Sequence, residues 1–305
     1  MRIGRAAFVL TLAAVFFFIP LTVRAEDGEW QPLVDRLAAD GFDRTYVQSL
    51  FGRKSLRFDP EIMARKMNVL LDTRLTARSP APAPEPEVLT RYLNPILLAG
   101  AYAYFREHSA DFEVIRRQYA VPGEVLTALM LVETKLGTQV GSKNGLTILA
   151  SMALAGDFER IRDHIEPVDI SEETRQWLER RTAQKGNWAY EELKALITYA
   201  RRNRQDPLNI PSSVYGAIGL CQFIPSSAIH YGVDGNGDGR VDLFDNTDAL
   251  FSMANFLKRH GWKGRLDRDA ELKIIYRYNH SESYALTILA VADRITKTSR
   301  FFGNQ

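Results

Sequence analysis

The chain has 305 residues, 46% of them hydrophobic and 25% charged, with 20 Gly, 13 Pro and a single Cys. This composition excludes a disordered polymer, which buries too little apolar surface, and a disulfide-stapled scaffold, which needs cysteines in pairs. The length admits about two domains, and the formal charge of +2 is too small to mark a polyanion binder.

Arg2 and Arg5 precede an apolar run from Ala6 to Pro20, and Val23-Arg24-Ala25 supplies the small residues of a signal-peptidase site. The run falls short of the roughly 20 residues that a spanning helix needs, and Pro20 interrupts it. Residues 1–25 are therefore expected to be a cleaved secretory signal. Cleavage removes three arginines, leaving 36 bases against 37 acids and a net charge of about −1, which disfavours nucleic-acid binding. No Cys stands near the cut, so no lipid anchor is expected and the product should be periplasmic.

From Trp30 to Leu75, apolar positions such as Leu33, Leu37, Val47, Leu50, Met63 and Met67 recur at three- and four-residue spacing, which predicts a small helical region over 26–78. Ser79-Pro80-Ala81-Pro82-Ala83-Pro84-Glu85-Pro86 disfavours helix at every residue preceding a proline, so 79–87 is expected to be an extended linker before a second domain over 88–305. Tyr92 to Tyr119 is helical in pattern. Val121-Pro122-Gly123-Glu124 reads as the start of a helix that should run to about Leu136. The charged stretch from Ile170 to Arg202 predicts solvated helices, Asn209 to Pro225 predicts loop, and Leu272 to Ile295 predicts helix again. No β-branched alternation supports a large sheet, so the fold class is mainly α.

Glu133 falls on the same helical face as Leu126, Met130 and Gly137, and no other acid lies between Val125 and Gly156. An acid on an apolar face is desolvated, and a carboxyl kept protonated near neutral pH can act as a general acid. Lys135 and Lys143 would oppose that shift if they folded towards it. Alternatively, Glu133 sits at the helix edge with its carboxylate in water or paired with Lys135.

Three motifs in order extend this observation: Glu133-Thr134-Lys135-Leu136-Gly137, then Gly216-Ala217-Ile218-Gly219-Leu220-Cys221-Gln222-Phe223-Ile224-Pro225, then Tyr278-Asn279-His280-Ser281 with Tyr284. Together they resemble the soluble-type lytic murein transglycosylases, and more narrowly the membrane-bound transglycosylase B branch. The resemblance implies a lysozyme-like (α+β) catalytic core that acts on peptidoglycan glycan strands. It implies that Glu133 protonates the oxygen between N-acetylmuramic acid and N-acetylglucosamine and then, as a carboxylate, takes the proton of the muramyl 6-hydroxyl, leaving a 1,6-anhydro end. Ordinary glycosidases need two flanking carboxyls, so one isolated acid fits this chemistry. The resemblance further implies that Ser213 orients Glu133, that Gln222 contacts sugar substituents, and that Tyr278, Asn279 and Tyr284 line the glycan site. Phe223, Phe256 and Cys221 read as packing residues. A muramidase, or a non-catalytic glycan-binding protein, remains an alternative.

Asp234-Gly235-Asn236-Gly237-Asp238-Gly239-Arg240-Val241-Asp242-Leu243-Phe244-Asp245 has the spacing of an EF-hand-like loop. Asp234, Asn236, Asp238 and Asp242 supply oxygen donors, Arg240 a backbone carbonyl, and Asp245 or Asp248 the last carboxylate. Structural Ca2+ is expected there, with a metal-free Asx/Gly turn as the alternative.

Overall fold

A computed structural model describes residues 28–76, 85–166 and 170–303; the expected signal segment and Pro80, Pro82 and Pro84 lie outside the described residues. The apolar spacing between Trp30 and Leu75 becomes three helices, α1 (Gln31–Ala39), α2 (Arg44–Phe51) and α3 (Glu61–Thr76). The Asp43 carboxylate caps α2 by accepting from Tyr46 N at 2.7 Å. Next come α4 (Pro95–Glu107), α5 (Ser109–Tyr119) and α6 (Gly123–Thr134), then the short strand β1 (Lys143–Asn144) and α7 (Gly145–Leu154). The chain continues through α8 (Glu172–Arg202), β2 (Pro211–Ser212), α9 (Pro225–Tyr231), α10 (Asn246–Arg259), α11 (Arg268–Asn279) and α12 (Glu282–Gly303). The only sheet among the described residues is the antiparallel ribbon β1–β2, with Lys143 opposite Ser212 and Asn144 opposite Pro211.

One apolar cluster runs from Trp30 to Ile295, so α1–α3 share their interior with the rest of the chain by lying against α7 and α8. After the proline-rich stretch the backbone is tied to α12: Glu87 N donates to Ser283 Oγ at 3.1 Å and Leu89 N to Thr287 Oγ1 at 2.9 Å.

The charged stretch after Ile170 differs from expectation. It is a single helix of 31 residues, and it is not simply solvated. Leu178, Leu193, Leu196 and Ile197 are joined by Ala189, Tyr190 and Tyr199 on one fully buried face, which lies against α7 and leaves the charges to the other faces. At the crossing, a methyl group on Gly186 would collide with Gly156, so the close approach requires glycine there. The one buried charge on α8, Glu192, accepts from both the backbone N and the hydroxyl of Ser226 at 2.8 Å each, pinning the start of α9.

Candidate active site

Helix α6 is apolar on all sides, with Leu126, Ala128, Leu129 and Met130 excluded from solvent, and it runs between α12, α4, α5 and α10. It ends at Thr134, two residues earlier than the apolar pattern predicts. Lys135, Leu136 and Gly137 are all left-handed, with φ of +47°, +59° and +88°. Thr134 drives this stop: its hydroxyl accepts from Gly137 N at 3.1 Å and lies 3.3 Å from both the Met130 and Leu220 carbonyls. The left-handed turn leaves Lys135 exposed and puts the half-buried Glu133 in the last turn of the helix.

The Tyr284 hydroxyl donates to Glu133 Oε1 at 2.5 Å. Tyr284 sits in the first turn of α12, whereas Tyr278 sits near the end of α11. The break between them, where His280 has φ +29°, folds the chain back so that two side chains six residues apart line one wall. Their rings stack at 6.4 Å with 14° between planes. Burial pushes the Glu133 carboxyl up to about 7, against the opposing effect of the Tyr284 hydrogen bond. Among the described residues, neither Lys135 nor Lys143 offsets that shift and no second acid contributes to it.

The turn that follows Gly216 meets Tyr278 and Thr134. Gly219 takes φ +73° with its Cα pressed on Leu243, and Gln222 takes φ +49°. Leu220 N donates to Leu243 O at 2.7 Å, and the Tyr278 hydroxyl donates to Cys221 O at 2.6 Å. Gln222 Nε2 donates to the carbonyls of Gly219 at 2.8 Å and Val140 at 3.3 Å, which orients the amide and leaves its oxygen as the free acceptor. Asn279 is exposed and has no hydrogen-bond partner among the described residues, so its amide is available to a ligand. Phe223 and Phe256 are buried against Tyr278, and burial pushes the Cys221 thiol up to about 12, far from thiolate chemistry.

Ser213 differs from expectation. Its hydroxyl accepts from Tyr215 N at 3.3 Å and Ala217 N at 3.1 Å, closing its own turn, and the hydrogen bond to Glu133 comes from Tyr284 instead. Thr134 and the Val140 carbonyl escape a sequence reading. The threonine beside Glu133 is a faint signal, and a backbone carbonyl gives none.

The 234–245 loop folds through its carboxylates. Asp234 accepts from Gly237, Asp238 and Gly239 amides at 2.6–3.1 Å, Asn236 from Asp238 N, Asp238 from Arg240 N, and Asp242 from Phe244 N. Asp245 caps α10 through Asp248 N. Asp248, only 1% exposed, braces the loop from beneath by accepting from Gly235, Asn236 and Asp242 amides at 2.7–3.2 Å. The donor set is all oxygen, as a hard cation requires, and the left-handed Gly237 and Gly239 give the turn its shape. No group of three acidic, His or Cys side chains stands in metal-holding geometry among the described residues.

Glu133, the stacked Tyr278 and Tyr284 rings and the turn that carries Gln222 are thus joined in one cluster on a mainly α frame. Residues 25–273 match the model of the transglycosylase SLT domain, and the chain belongs to that family. The match ends before Tyr278, Asn279 and Tyr284. Membrane-bound lytic murein transglycosylase B of Escherichia coli (strain K12) is 26% identical over 238 residues, 76% of this chain and 57% of that protein, so this chain spans under two-thirds of its relative's length. Among solved structures, the Escherichia coli lytic transglycosylase SLT35 in complex with calcium superposes with a TM-score of 0.66 at 20% identity, covering 90% of this chain and 94% of that one. SltB3 from Pseudomonas aeruginosa in complex with NAG-NAM-pentapeptide superposes with a TM-score of 0.64 at 20% identity, covering 88% and 79%. The shared fold is the mainly α, lysozyme-like one.

Proposed function

We propose that the protein is a peptidoglycan lytic transglycosylase, a lyase that cleaves the β-1,4 bond after N-acetylmuramic acid without water and leaves a 1,6-anhydro end. The observation that carries this reading is Glu133, held near neutral pKa by burial with no second carboxyl among the described residues shifting it. Retaining and inverting hydrolases place a second carboxyl roughly 5 to 9 Å away to attack C1 or to activate water. In this reading no such carboxyl takes part, and the nucleophile comes from the substrate. Glu133 starts protonated and gives its proton to the leaving glycosidic oxygen as the C1–O4 bond breaks. The resulting carboxylate takes the proton of the muramyl 6-hydroxyl, whose oxygen bonds to C1, and Glu133 is protonated again for the next cycle. Tyr284 holds the carboxyl in place through both transfers. Gln222 and Asn279 offer amides to the N-acetyl groups, Tyr278 offers a ring face to the sugar, and Ser213 shapes the turn beside them.

Glycan strands are the proposed partner, in the periplasm, reached through a cleaved signal over residues 1–25. We assign residues 26–78 to a helical N-terminal region, 79–87 to a linker and 88–305 to the catalytic domain. A structural Ca2+ in the 234–245 loop, held by Asp234, Asn236, Asp238, Asp242 and the Arg240 carbonyl with Asp245 or Asp248, is supported by the donor spacing and by the calcium-bound relative. Mass spectrometry of fragments released from purified peptidoglycan tests the main proposal. The parent is expected to release anhydro-muropeptides and Glu133→Gln to release none; reducing-end fragments would move the assignment to a muramidase, and no release to a binding protein.

A further inference from the structure

Gln222 presents its amide from a backbone conformation that needs holding. Its φ of +49° lies in the left-handed region, which L side chains adopt only at a cost. The turn around it is closed by an isolated antiparallel bridge, with Ile218 N donating to Phe223 O at 2.8 Å, and by Gln222 N donating to Gly219 O at 3.2 Å. The bonds that tie this turn to other elements, Leu220 N to Leu243 O and the Tyr278 hydroxyl to Cys221 O, both fall before Gln222. After it, Phe223 packs against Tyr278 and Phe256, contacts that hold a ring without fixing the direction of the backbone.

The chain leaving Gln222 is stiff. Ile224 is extended at φ −64° and ψ 151°, as suits a residue before proline, and Pro225 fixes its own φ. Helix α9 then begins without local help: Pro225 has no N–H, and the Ile224 side chain offers no acceptor to the amide of Ser226. Glu192 supplies that acceptor from α8. Its Oε2 takes the Ser226 amide and its Oε1 the Ser226 hydroxyl, each at 2.8 Å, so both carboxylate oxygens serve one residue. The next acid along, Glu191, pairs with Lys194 at 2.9 Å, whereas Glu192 has no cation partner among the described residues. At 4% exposure Glu192 has lost its water, and burial raises its pKa while the bonds from Ser226 oppose the rise. A buried acid without a cation is a costly cap for a helix of seven residues, which Ser or Asp in place of Ile224 would cap locally.

We infer that Glu192 is a positioning residue for Gln222: from α8 it fixes Ser226, and through the stiff segment from Phe223 to Pro225 it holds the turn in the conformation that aims the Gln222 amide at the glycan. The inference rests on the reading of Gln222 as a glycan contact and deepens it, since Glu192 acts through Ser226 alone.

The test is steady-state kinetics of the full chain on one soluble peptidoglycan fragment, with anhydro ends counted by mass spectrometry, for the parent, Glu192→Ala, Gln222→Ala and the double variant. Glu192→Ala should raise KM about tenfold and lower kcat less than about twofold, because a misaimed amide weakens glycan binding, whereas a loss of folded protein lowers kcat and leaves KM alone. In the Gln222→Ala background the same change should raise KM by less than about twofold, since no amide is left to aim. Ser226→Ala, which removes only the hydroxyl bond, should raise KM about threefold, and it carries the same comparison if Glu192→Ala does not fold. Glu192→Gln keeps an acceptor for the Ser226 amide and offers a donor to its hydroxyl oxygen, so it should retain the parental KM. A KM unchanged by Glu192→Ala and Ser226→Ala, or a rise of equal size with and without Gln222, would overturn the positioning role while leaving Gln222 as a glycan contact. A KM unchanged by Gln222→Ala would remove that contact and this role with it, and absence of anhydro ends from the parent would overturn the transglycosylase reading on which both rest.

Discussion

Tyr284 and Glu133 are joined by a 2.5 Å hydrogen bond across 151 residues of sequence. Among the described residues the phenol, buried at the start of α12, is the only polar side chain hydrogen-bonded to a carboxyl whose proton affinity burial has raised to near neutrality.

Because Glu133 must begin the cycle protonated, activity should decline as pH rises through about 7, where burial places its carboxyl. The alkaline limb of a kcat/KM profile on soluble glycan fragments checks this. A flat profile between pH 6 and 9 would contradict it.

The same shift has a stability consequence of definite sign. The folded carboxyl titrates near 7 and the unfolded one near 4.5, so the folded state holds the extra proton between those values and loses stability as pH rises across that window. Glu133→Gln removes this cost. It should be more stable than the parent at pH 8 by about 2 kcal/mol and nearly equal to it at pH 4, as read from Tm against pH.

Tyr284→Phe deletes the hydrogen bond that favours the carboxylate. The alkaline limb should then move to higher pH, while kcat falls about tenfold because Glu133 is no longer oriented. A fall in kcat with an unmoved limb would indicate a purely packing role.

Tyr278→Phe leaves the stacked ring but frees the Cys221 carbonyl and loosens the turn that presents Gln222. Stability should drop by about 1 kcal/mol, and KM should rise more than kcat falls. Thermal melting and steady-state kinetics give the two readings.

Calcium at about a hundredfold above its Kd should stabilise the chain by about 2.7 kcal/mol relative to chelator, and Asp234→Ala should abolish the difference. Asp234 serves because it holds three loop amides as well as the first donor position. Identical melting of the parent in calcium and in chelator would remove the metal.

Much of this was readable from local pattern. Glu133 stands out because no other acid follows the first turn of its helix, and the short helices around Leu37, Val47 and Met67 follow from three- and four-residue spacing. Features set by long-range geometry were not readable. The three left-handed residues after Thr134 end α6 early although Lys135 and Leu136 are good helix formers, because the Thr134 hydroxyl reaches Leu220. α8 looked solvated because charge count says nothing of which face carries the charges. Tyr278 and Tyr284, six residues apart, could not share a face on one helix; they do so because the chain breaks at His280. Ser213 was given the bond that Tyr284 makes, since the sequence does not reveal that its hydroxyl is used by its own turn.

The central claim is that the substrate's own 6-hydroxyl, and not water, captures C1. Digestion of purified peptidoglycan by the parent protein in 18O-enriched water, followed by mass spectrometry of the muramyl ends, tests it directly. The account predicts anhydro ends without 18O. Reducing muramyl ends carrying one 18O at C1 would contradict it.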